Sequence, residues 1–265
     1  MDGNSNDSLV LVSREDSVVT LQLNRPGRMN AVCLDLYQVL DQHLADYEDD
    51  PEVRVLIITG SGRAFSVGAD LDAHARGTGG AEARRLYVGA AQSVNHRIQT
   101  MSKVIVGAAN GHAIGAGFEM LLGCDLSVVS EDAKFRFPEA SLGTFVGGGV
   151  TCGLVRRVGR ARANEMLLLC PMMTGREVHA AGLVTRAVPD TEVGATAALL
   201  AREVAAKAPL SVSRLKAVLN EAAGASLDEV LRLESEALLA CMETQDWAEG
   251  IAAYKEKREP RFRGT

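Results

Sequence analysis

Apolar runs and amphipathic segments alternate along the first 190 residues of the chain. Residues 9–12 and 18–23 are apolar and are joined by five polar residues, which predicts a β-hairpin. From Leu36 onwards, apolar residues recur at helical spacing, and residues 54–59 then predict a buried strand. The same alternation of strand and helix continues to about residue 190. Because alternating elements pack as helices against a largely parallel sheet, the pattern favours an α/β core.

The composition changes after residue 190. Residues 191–257 are rich in Ala, Leu, Glu, Lys and Arg and contain few strand formers, which predicts helices. Apolar residues between positions 227 and 238 are more numerous than a lone exposed helix needs, so this face is expected to pack against the core or a neighbouring subunit. The predicted organisation is therefore a core at residues 1–190 and a helical region at residues 191–265.

A glycine-rich turn at residues 110–120 places an acid close to a helix start. Residues 103–109 predict a buried strand and Phe118 begins an apolar helical run, so the turn joins a strand to a helix. The first N–H groups of a helix have no partner within the helix, and they would stabilise an oxyanion beside Ala116. Glu119 follows Ala116 by three positions and shares its face of the helix. A helix with an ordinary acid in its first turn is the alternative interpretation.

Charge and length narrow the class of protein. The 265 residues have a formal net charge of −6, whereas nucleic-acid binding proteins usually show a basic surplus. Small molecules or other protein chains are therefore the expected partners, and nucleic acid is not. The first eight residues are polar, without the apolar core of a secretory signal, and no apolar run in the sequence reaches membrane-spanning length. These features predict a cytoplasmic protein that does not contact a membrane.

Neither a metal site nor a dinucleotide-binding loop is predicted. The five cysteines are widely spaced without a ligand pattern, and no two histidines have the His-x-x-x-His spacing of a helical metal site. The histidines are His43, His74, His96, His112 and His179. Gly60 and Gly62 follow a predicted strand, but the dinucleotide fingerprint requires a third glycine where Phe65 stands.

Three motifs follow one another along the chain: the loop at residues 63–71, the turn at residues 115–119 and the segment at residues 137–143. In order and spacing they resemble the crotonase family, also called the enoyl-CoA hydratase/isomerase superfamily. The resemblance extends from about residue 9 to about residue 262. It implies a crotonase-like spiral of ββα units with a C-terminal helical trimerisation region, in a homotrimer or a hexamer of two trimers. The core would contain the active site, and the C-terminal region would serve oligomerisation and CoA contact.

The chemistry shared by this family stabilises the enolate of a CoA thioester with two backbone N–H groups. By position, the resemblance assigns these groups to Ala69 and Ala116, although glycine is frequent where Ala116 stands. Glu119 and Glu139 match the two glutamates that hydratases use together on a water molecule, and Gly147 matches the residue whose amide helps to hold that water. The implied activity is that of an enoyl-CoA hydratase of fatty acid metabolism, which converts an α,β-unsaturated acyl-CoA into a β-hydroxyacyl-CoA. Coenzyme A is part of the substrate, and no separate cofactor is implied.

The C-terminus is basic in an otherwise acidic chain, and a solvated tail would explain it. In the family, however, the aromatic residue and the lysine that match Tyr254 and Lys257 reach the CoA of a neighbouring subunit. Arg28 is a further phosphate-binding candidate, and the backbone of Asp70 and Leu71 is expected to border the adenine. The full set of predicted substrate contacts is Arg28, Gly68, Asp70, Leu71, Tyr254 and Lys257.

Two departures from the hydratase pattern leave the reaction open. Typical hydratases have a proline at the position of Val146 and a glycine at the position of Val150. The pocket wall and the acyl preference are therefore expected to differ from those of typical hydratases. Dehydration, or an enoyl-CoA isomerisation that needs one positioned carboxylate, is the nearer alternative. A non-catalytic binding or scaffold relative is the more distant alternative, and it would be expected to lack an acid or to contain a lysine-rich helix.

Overall fold

The computed structural model describes residues 9–71 and 80–265, so that the first eight residues and His74 lie outside the described part. The strands are β1 (Val10–Glu15), β2 (Val18–Leu23), β3 (Val55–Gly60), β4 (Ala64–Ser66), β5 (Val104–Ala109), β6 (His112–Ile114), β7 (Leu126–Ser130), β8 (Lys134–Arg136), β9 (Met173–Thr174) and β10 (Arg186–Val188). The helices are α1 (Leu34–Asp49), α2 (Gly80–Thr100), α3 (Ala116–Gly123), α4 (Val150–Leu168), α5 (Gly175–Ala180), α6 (Val193–Ala205), α7 (Pro209–Ala222), α8 (Leu227–Met242) and α9 (Gln245–Glu256). Short 3₁₀ helices span Pro26–Arg28, Glu139–Leu142 and Asp190–Glu192.

The first sheet has six strands in the order β1-β2-β3-β5-β7-β10. β1 pairs antiparallel with β2, and the other neighbours are parallel, which confirms the predicted hairpin and the α/β class. β1 continues to Glu15, however, so the connection consists of Asp16 and Ser17 alone. Polar residues extend this strand because β1 is the edge of the sheet and most of its side chains are exposed.

Successive strands alternate between the first sheet and a second sheet of order β4-β6-β8-β9. β3 is followed by β4, β5 by β6 and β7 by β8, and these pairs lead into α2, α3 and α4. The chain therefore winds as ββα units, as the family resemblance implies. The hydrophobic pattern does not predict β6, because a strand of three residues is too short to show an alternation of apolar and polar positions.

Phe118 fixes helix α3 against the second sheet. Its ring stacks on Phe137 with a centroid distance of 4.7 Å and lies 5.3 Å from Phe135, and all three rings are buried. Burying an apolar side chain of this size is worth about 1.5–3 kcal/mol. Since Phe118 precedes Glu119 and Phe137 lies two residues before Glu139, this aromatic contact brings the two acids to one place.

The helices after residue 190 differ in what they cover. α6 packs against the first sheet, where Ala197 and Ala201 belong to the same buried cluster as Val106 and Val128. α8 has no buried residue, and its exposed leucines are Leu227, Leu231, Leu238 and Leu239. The core of the same chain therefore leaves this apolar face uncovered, and its packing against a neighbouring subunit remains a prediction. Within residues 9–71 and 80–265, no helix has both the length and the apolar character that a membrane span requires.

Candidate active site

The loop after β4 presents one backbone donor. Gly68 O accepts the Val32 N–H at 2.8 Å, and the Asp70 N–H donates to Val32 O at 3.0 Å. In such a parallel bridge, the residue between the two bonds directs its own N–H to the opposite side. That residue is Ala69, whose N–H has no acceptor among the residues that the structure describes. Gly68 permits the turn because it adopts a φ of 84°.

Helix α3 presents a second backbone donor at its first residue. Gly115 has a φ of 52° and donates its N–H to Arg136 O at 2.8 Å, which ties the turn to β8. Ala116 then begins the helix, and its N–H finds no acceptor in the described part of the chain. The positive end of the helix dipole is therefore directed at this point.

Close backbone contacts bring these two donors together. A Cβ atom at Gly68 would lie 2.7 Å from Ile114 O and 3.2 Å from the Ala116 nitrogen. A Cβ atom at Gly117 would lie 2.2 Å from Ser66 O, so neither glycine leaves room for a side chain. The Ala69 loop thus packs directly against the start of α3. Two free N–H groups on adjoining backbones are an arrangement that can stabilise an anionic oxygen.

Glu119 is buried in the first turn of α3, with 4% of its surface exposed. Its Oε2 accepts the Gly147 N–H at 3.0 Å and the Gly148 N–H at 2.5 Å. Burial raises the pKa of Glu119, while the two backbone donors act against that rise because they stabilise the anion. In this structure the Gly147 N–H therefore binds a carboxylate, and its contact with a catalytic water remains a prediction.

Glu139 begins a 3₁₀ helix and is half-buried. Its Oε1 would lie 2.6 Å from a Cβ atom at Gly115, so the carboxylate lies directly against the turn before Ala116. Its Oε2 is buried and has no hydrogen-bond partner among the described residues. Burial is the main cause that raises the pKa of Glu139 to about 7, and the charge of Glu119 adds to the rise. Two acids in different surroundings therefore flank one turn.

Two further buried polar atoms lie near these acids. The Asn95 Oδ1 has no hydrogen-bond partner within residues 9–71 and 80–265, and the Tyr37 hydroxyl interacts with the Tyr87 phenol. The Tyr37 ring makes an edge contact with Tyr87 at 5.5 Å. Burial raises the pKa of both phenols, that of Tyr87 to about 12, and the negative charge of Glu119 contributes to both rises. Neither residue stands out in the sequence, because Tyr37 has the spacing of a core residue and Asn95 lies in an ordinary amphipathic helix.

The predicted contacts to the CoA moiety fall into an N-terminal and a C-terminal group. In the first, Asp70 is buried and its Oδ2 forms an ion pair with Arg25 at 2.9 Å, whereas Leu71 is exposed. Arg28 ends the 3₁₀ helix that precedes Met29, whose O accepts the Val67 N–H at 3.2 Å. The ion pair thus holds the Asp70 side chain inward, and the loop that contains Gly68 borders the Ala69 donor.

The C-terminal group lies on and after α9, which packs against α8. Tyr254 is 87% exposed, and Lys257 follows the helix with a φ of 54°. Their approach to the CoA of a neighbouring subunit remains a prediction.

Metal binding gains no support from the described residues. Within them, no group of three or more His, Cys, Asp and Glu side chains is arranged to hold an ion. His43, His96, His112 and His179 belong to this part of the chain, whereas His74 lies outside it. Carboxyl groups and free backbone N–H groups, as found at Glu119, Glu139, Ala69 and Ala116, are groups that can take part in acid–base and oxyanion chemistry.

Comparison with known proteins places the whole chain in one family. The family model for enoyl-CoA hydratase/isomerase matches residues 13–265. A putative enoyl-CoA hydratase of Thermus thermophilus is 39% identical over 246 residues, which cover 92% of this chain and 97% of that protein. A 1,2-epoxyphenylacetyl-CoA isomerase of Escherichia coli is 33% identical over 261 residues, covering 96% of this chain and 98% of the relative.

Solved structures agree with the sequence comparison. The crystal structure of an enoyl-CoA hydratase from Bacillus anthracis superimposes with a TM-score of 0.93 at 30% identity, over 97% of this chain and all of that one. The fold is therefore shared over 97% of the chain, and the sequence relatives include proteins named for different reactions.

Proposed function

The chain belongs to the enoyl-CoA hydratase/isomerase family, and from that premise we propose that it adds water across the double bond of an α,β-unsaturated acyl-CoA. The product is a β-hydroxyacyl-CoA. The observation that supports this reaction is the presence of two acids, Glu119 and Glu139, on either side of one turn that also presents a free backbone N–H. Both acids are useful together when one proton is removed from water and another is delivered to carbon.

The Ala69 and Ala116 N–H groups would bind the thioester oxygen. During addition, negative charge develops on this oxygen, and backbone donors that already point at it need no reorganisation. Loss of one such donor in acyl-transfer enzymes costs about 2.7–4 kcal/mol, so the pair can supply a large part of the catalysis. The methyl group of Ala116 leaves its N–H in place.

The surroundings of the two acids suggest a division of labour. Glu119, which accepts hydrogen bonds from two backbone N–H groups, acts as the base that takes a proton from water. The water oxygen bonds to the β-carbon, and the electrons of the double bond move onto the thioester oxygen. Glu139, whose raised pKa favours the protonated form, then delivers its proton to the α-carbon as the enolate collapses. No further cofactor takes part in this scheme.

The CoA moiety would extend away from this site along the loop that contains Gly68. The backbone of Asp70 and Leu71 would border the adenine, and Arg28 would approach a phosphate. Tyr254 and Lys257 would come from a neighbouring subunit, with the exposed face of α8 buried in a trimer or a pair of trimers. The acyl end would contact the segment that includes Val146, which packs against the core beside the site.

Isomerisation is the second candidate because a relative of similar identity is named as a 1,2-epoxyphenylacetyl-CoA isomerase. Moving a double bond requires one carboxylate to carry a proton between two carbons. Such a reaction would leave one of the two acids without a direct role. Hydration therefore requires both Glu119 and Glu139, whereas isomerisation requires one of them.

A spectrophotometric assay tests the hydratase proposal. Purified protein is expected to remove the enoyl-thioester absorbance of at least one short, medium or branched enoyl-CoA. Glu119→Gln and Glu139→Gln should each lower kcat by roughly 100- to 10,000-fold, because each removes a proton-transfer group. Glu52→Gln, at an exposed acid before β3, is the matched control and should retain activity. Absence of turnover on the whole panel, or unchanged turnover in both site variants, would contradict the proposal.

A further inference from the structure

Asn95 is a buried polar residue of α2 that the proposed mechanism does not use. It is 4% exposed, and its Nδ2 donates to Ala91 O at 2.9 Å, one helical turn earlier. Its Oδ1 has no donor among the described residues. Burying an acceptor without a donor is costly, so such an atom in a native protein calls for a functional explanation.

The unpaired oxygen of Asn95 lies beside Glu119. A Cβ atom at Gly148 would be 2.9 Å from Asn95 Oδ1, 2.8 Å from Glu119 Oε2 and 2.9 Å from Glu119 Cβ. Both side-chain oxygens therefore lie within 3 Å of one point. Because Gly148 has no side chain, this point between them is unoccupied by a Cβ atom.

The orientation of the Asn95 amide is fixed by its neighbours. If the amide were reversed, its oxygen would face the Ala91 carbonyl, and two acceptors would be placed against each other. The helix around it is also held to the glycine loop, since Gln99 Nε2 donates to Asn95 O at 2.9 Å and to Gly148 O at 3.2 Å. The side-chain oxygen is thus held towards Glu119.

An acceptor in this position distinguishes the two forms of Glu119. The ionised carboxylate offers only acceptors and repels the Asn95 oxygen, whereas the neutral acid has one O–H group to donate. The other ionisable groups near Glu119 come from several elements. The charge of Glu119 contributes to the raised pKa values of Glu139, Tyr37 and Tyr87, and Arg157 lines a cavity of about 50 Å³ together with Glu119.

We propose that Asn95 is a positioning residue for Glu119, and that its side-chain oxygen accepts the hydrogen bond of Glu119 whenever Glu119 holds a proton. This proposal deepens the proposed function and rests on it for the role of Glu119 as the base. In each turnover Glu119 gains a proton from water, and Asn95 supplies the acceptor for that state. A base works best when its pKa lies near the working pH, and this hydrogen bond moves Glu119 in that direction.

Asn95→Leu tests the proposal by removing the acceptor while keeping a side chain of similar length. The pKa of Glu119 should fall by roughly one unit, because the neutral form loses its hydrogen bond. Leu by itself would make the site more apolar and would raise that pKa, so a fall identifies the acceptor. The pKa is measured by ¹³C NMR on protein labelled at glutamate carboxyls, with the Glu119 signal assigned through Glu119→Gln. In the active enzyme, the acidic limb of kcat/KM should move to lower pH by the same amount.

Two companion variants keep the test decisive. Asn95→Asp should raise the pKa of Glu119, because a second carboxylate beside it disfavours ionisation. Gln99→Met loosens the same glycine loop but retains the Asn95 oxygen. Because the N–H groups of this loop stabilise the Glu119 anion, loosening it should raise the pKa of Glu119 or leave it in place, and should not lower it. An unchanged Glu119 titration in both Asn95 variants, or an equal fall in Gln99→Met and Asn95→Leu, would overturn the proposal.

The NMR titration separates this proposal from the proposed function. It needs no turnover, so a shifted Glu119 titration in a protein without hydratase activity would refute the reaction and leave the Asn95 contact supported. Hydratase activity with an unshifted titration would refute the role of Asn95 alone.

Discussion

Glu119 and Glu139 flank the same turn, but the protein surrounds them differently. The Gly147 and Gly148 N–H groups point at the carboxylate of Glu119, whereas the Oε2 of Glu139 is buried with no donor among the described residues. Donors stabilise an anion, and burial favours a neutral acid. At Glu139 the effect of burial outweighs that of its own backbone N–H, which acts against the rise in pKa. The backbone opposite two identical side chains can therefore give them different proton affinities, here through a glycine loop that donates to Glu119.

The largest effect is expected when the contact between the glycine loop and Glu119 is disturbed. A Cβ atom at Gly148 would lie 2.8 Å from Glu119 Oε2, so Gly148→Ala has to displace the carboxylate. The value of kcat should fall by roughly 100-fold, since a misplacement of about 1 Å at a reacting group can cost that much. Steady-state kinetics on the preferred enoyl-CoA measures the loss.

Gly153→Ala is the matched control for this variant. It lies on α4, three residues into the helix, and a Cβ atom there meets nothing within 4 Å. The Ala variant should keep its activity and fold well, because Ala is a better helix former than Gly. Equal losses in the two variants would show that the loss at position 148 does not come from Glu119.

A smaller and graded effect on kcat/KM is expected from pH, and it reports the protonation of Glu139. Glu139 must be protonated to deliver a proton, and its pKa is raised to about 7. As pH rises above that value Glu139 ionises, so kcat/KM should fall about tenfold per pH unit. The residual activity of Glu139→Gln should lack this alkaline limb. If Glu139→Gln shows an alkaline limb at the same pH, that limb belongs to an ionisable group other than Glu139.

The fold was predictable where the sequence pattern is long enough to show a period. β2, β3 and β5 fall within one residue of the predicted strands, and the residues after 190 are helical as their composition indicates. β6 and the extension of β1 were not predictable in this way. The first is too short for a period, and the second uses polar residues that only an edge strand tolerates.

The candidate site shows a similar limit. The spacing of Ala116 and Glu119 within one helical turn is visible in the sequence, and the structure places both at the start of α3. The contacts of Gly148 and Asn95 with Glu119 join segments that are 24 or more residues apart in the chain, and no local pattern marks them. Family resemblance supplies the positions of Ala69 and Glu139, and the unpaired oxygens become visible only when the elements are packed.

If the two acids at this turn serve the addition of water, the new oxygen of the product must come from the solvent, and isotope labelling can follow that oxygen. Turnover of an enoyl-CoA in H₂¹⁸O should yield a β-hydroxyacyl-CoA that contains one solvent oxygen at the β-carbon, detected by mass spectrometry as a gain of about two mass units over the product in ordinary water. A product that has shifted its double bond and contains no solvent oxygen would contradict the claim.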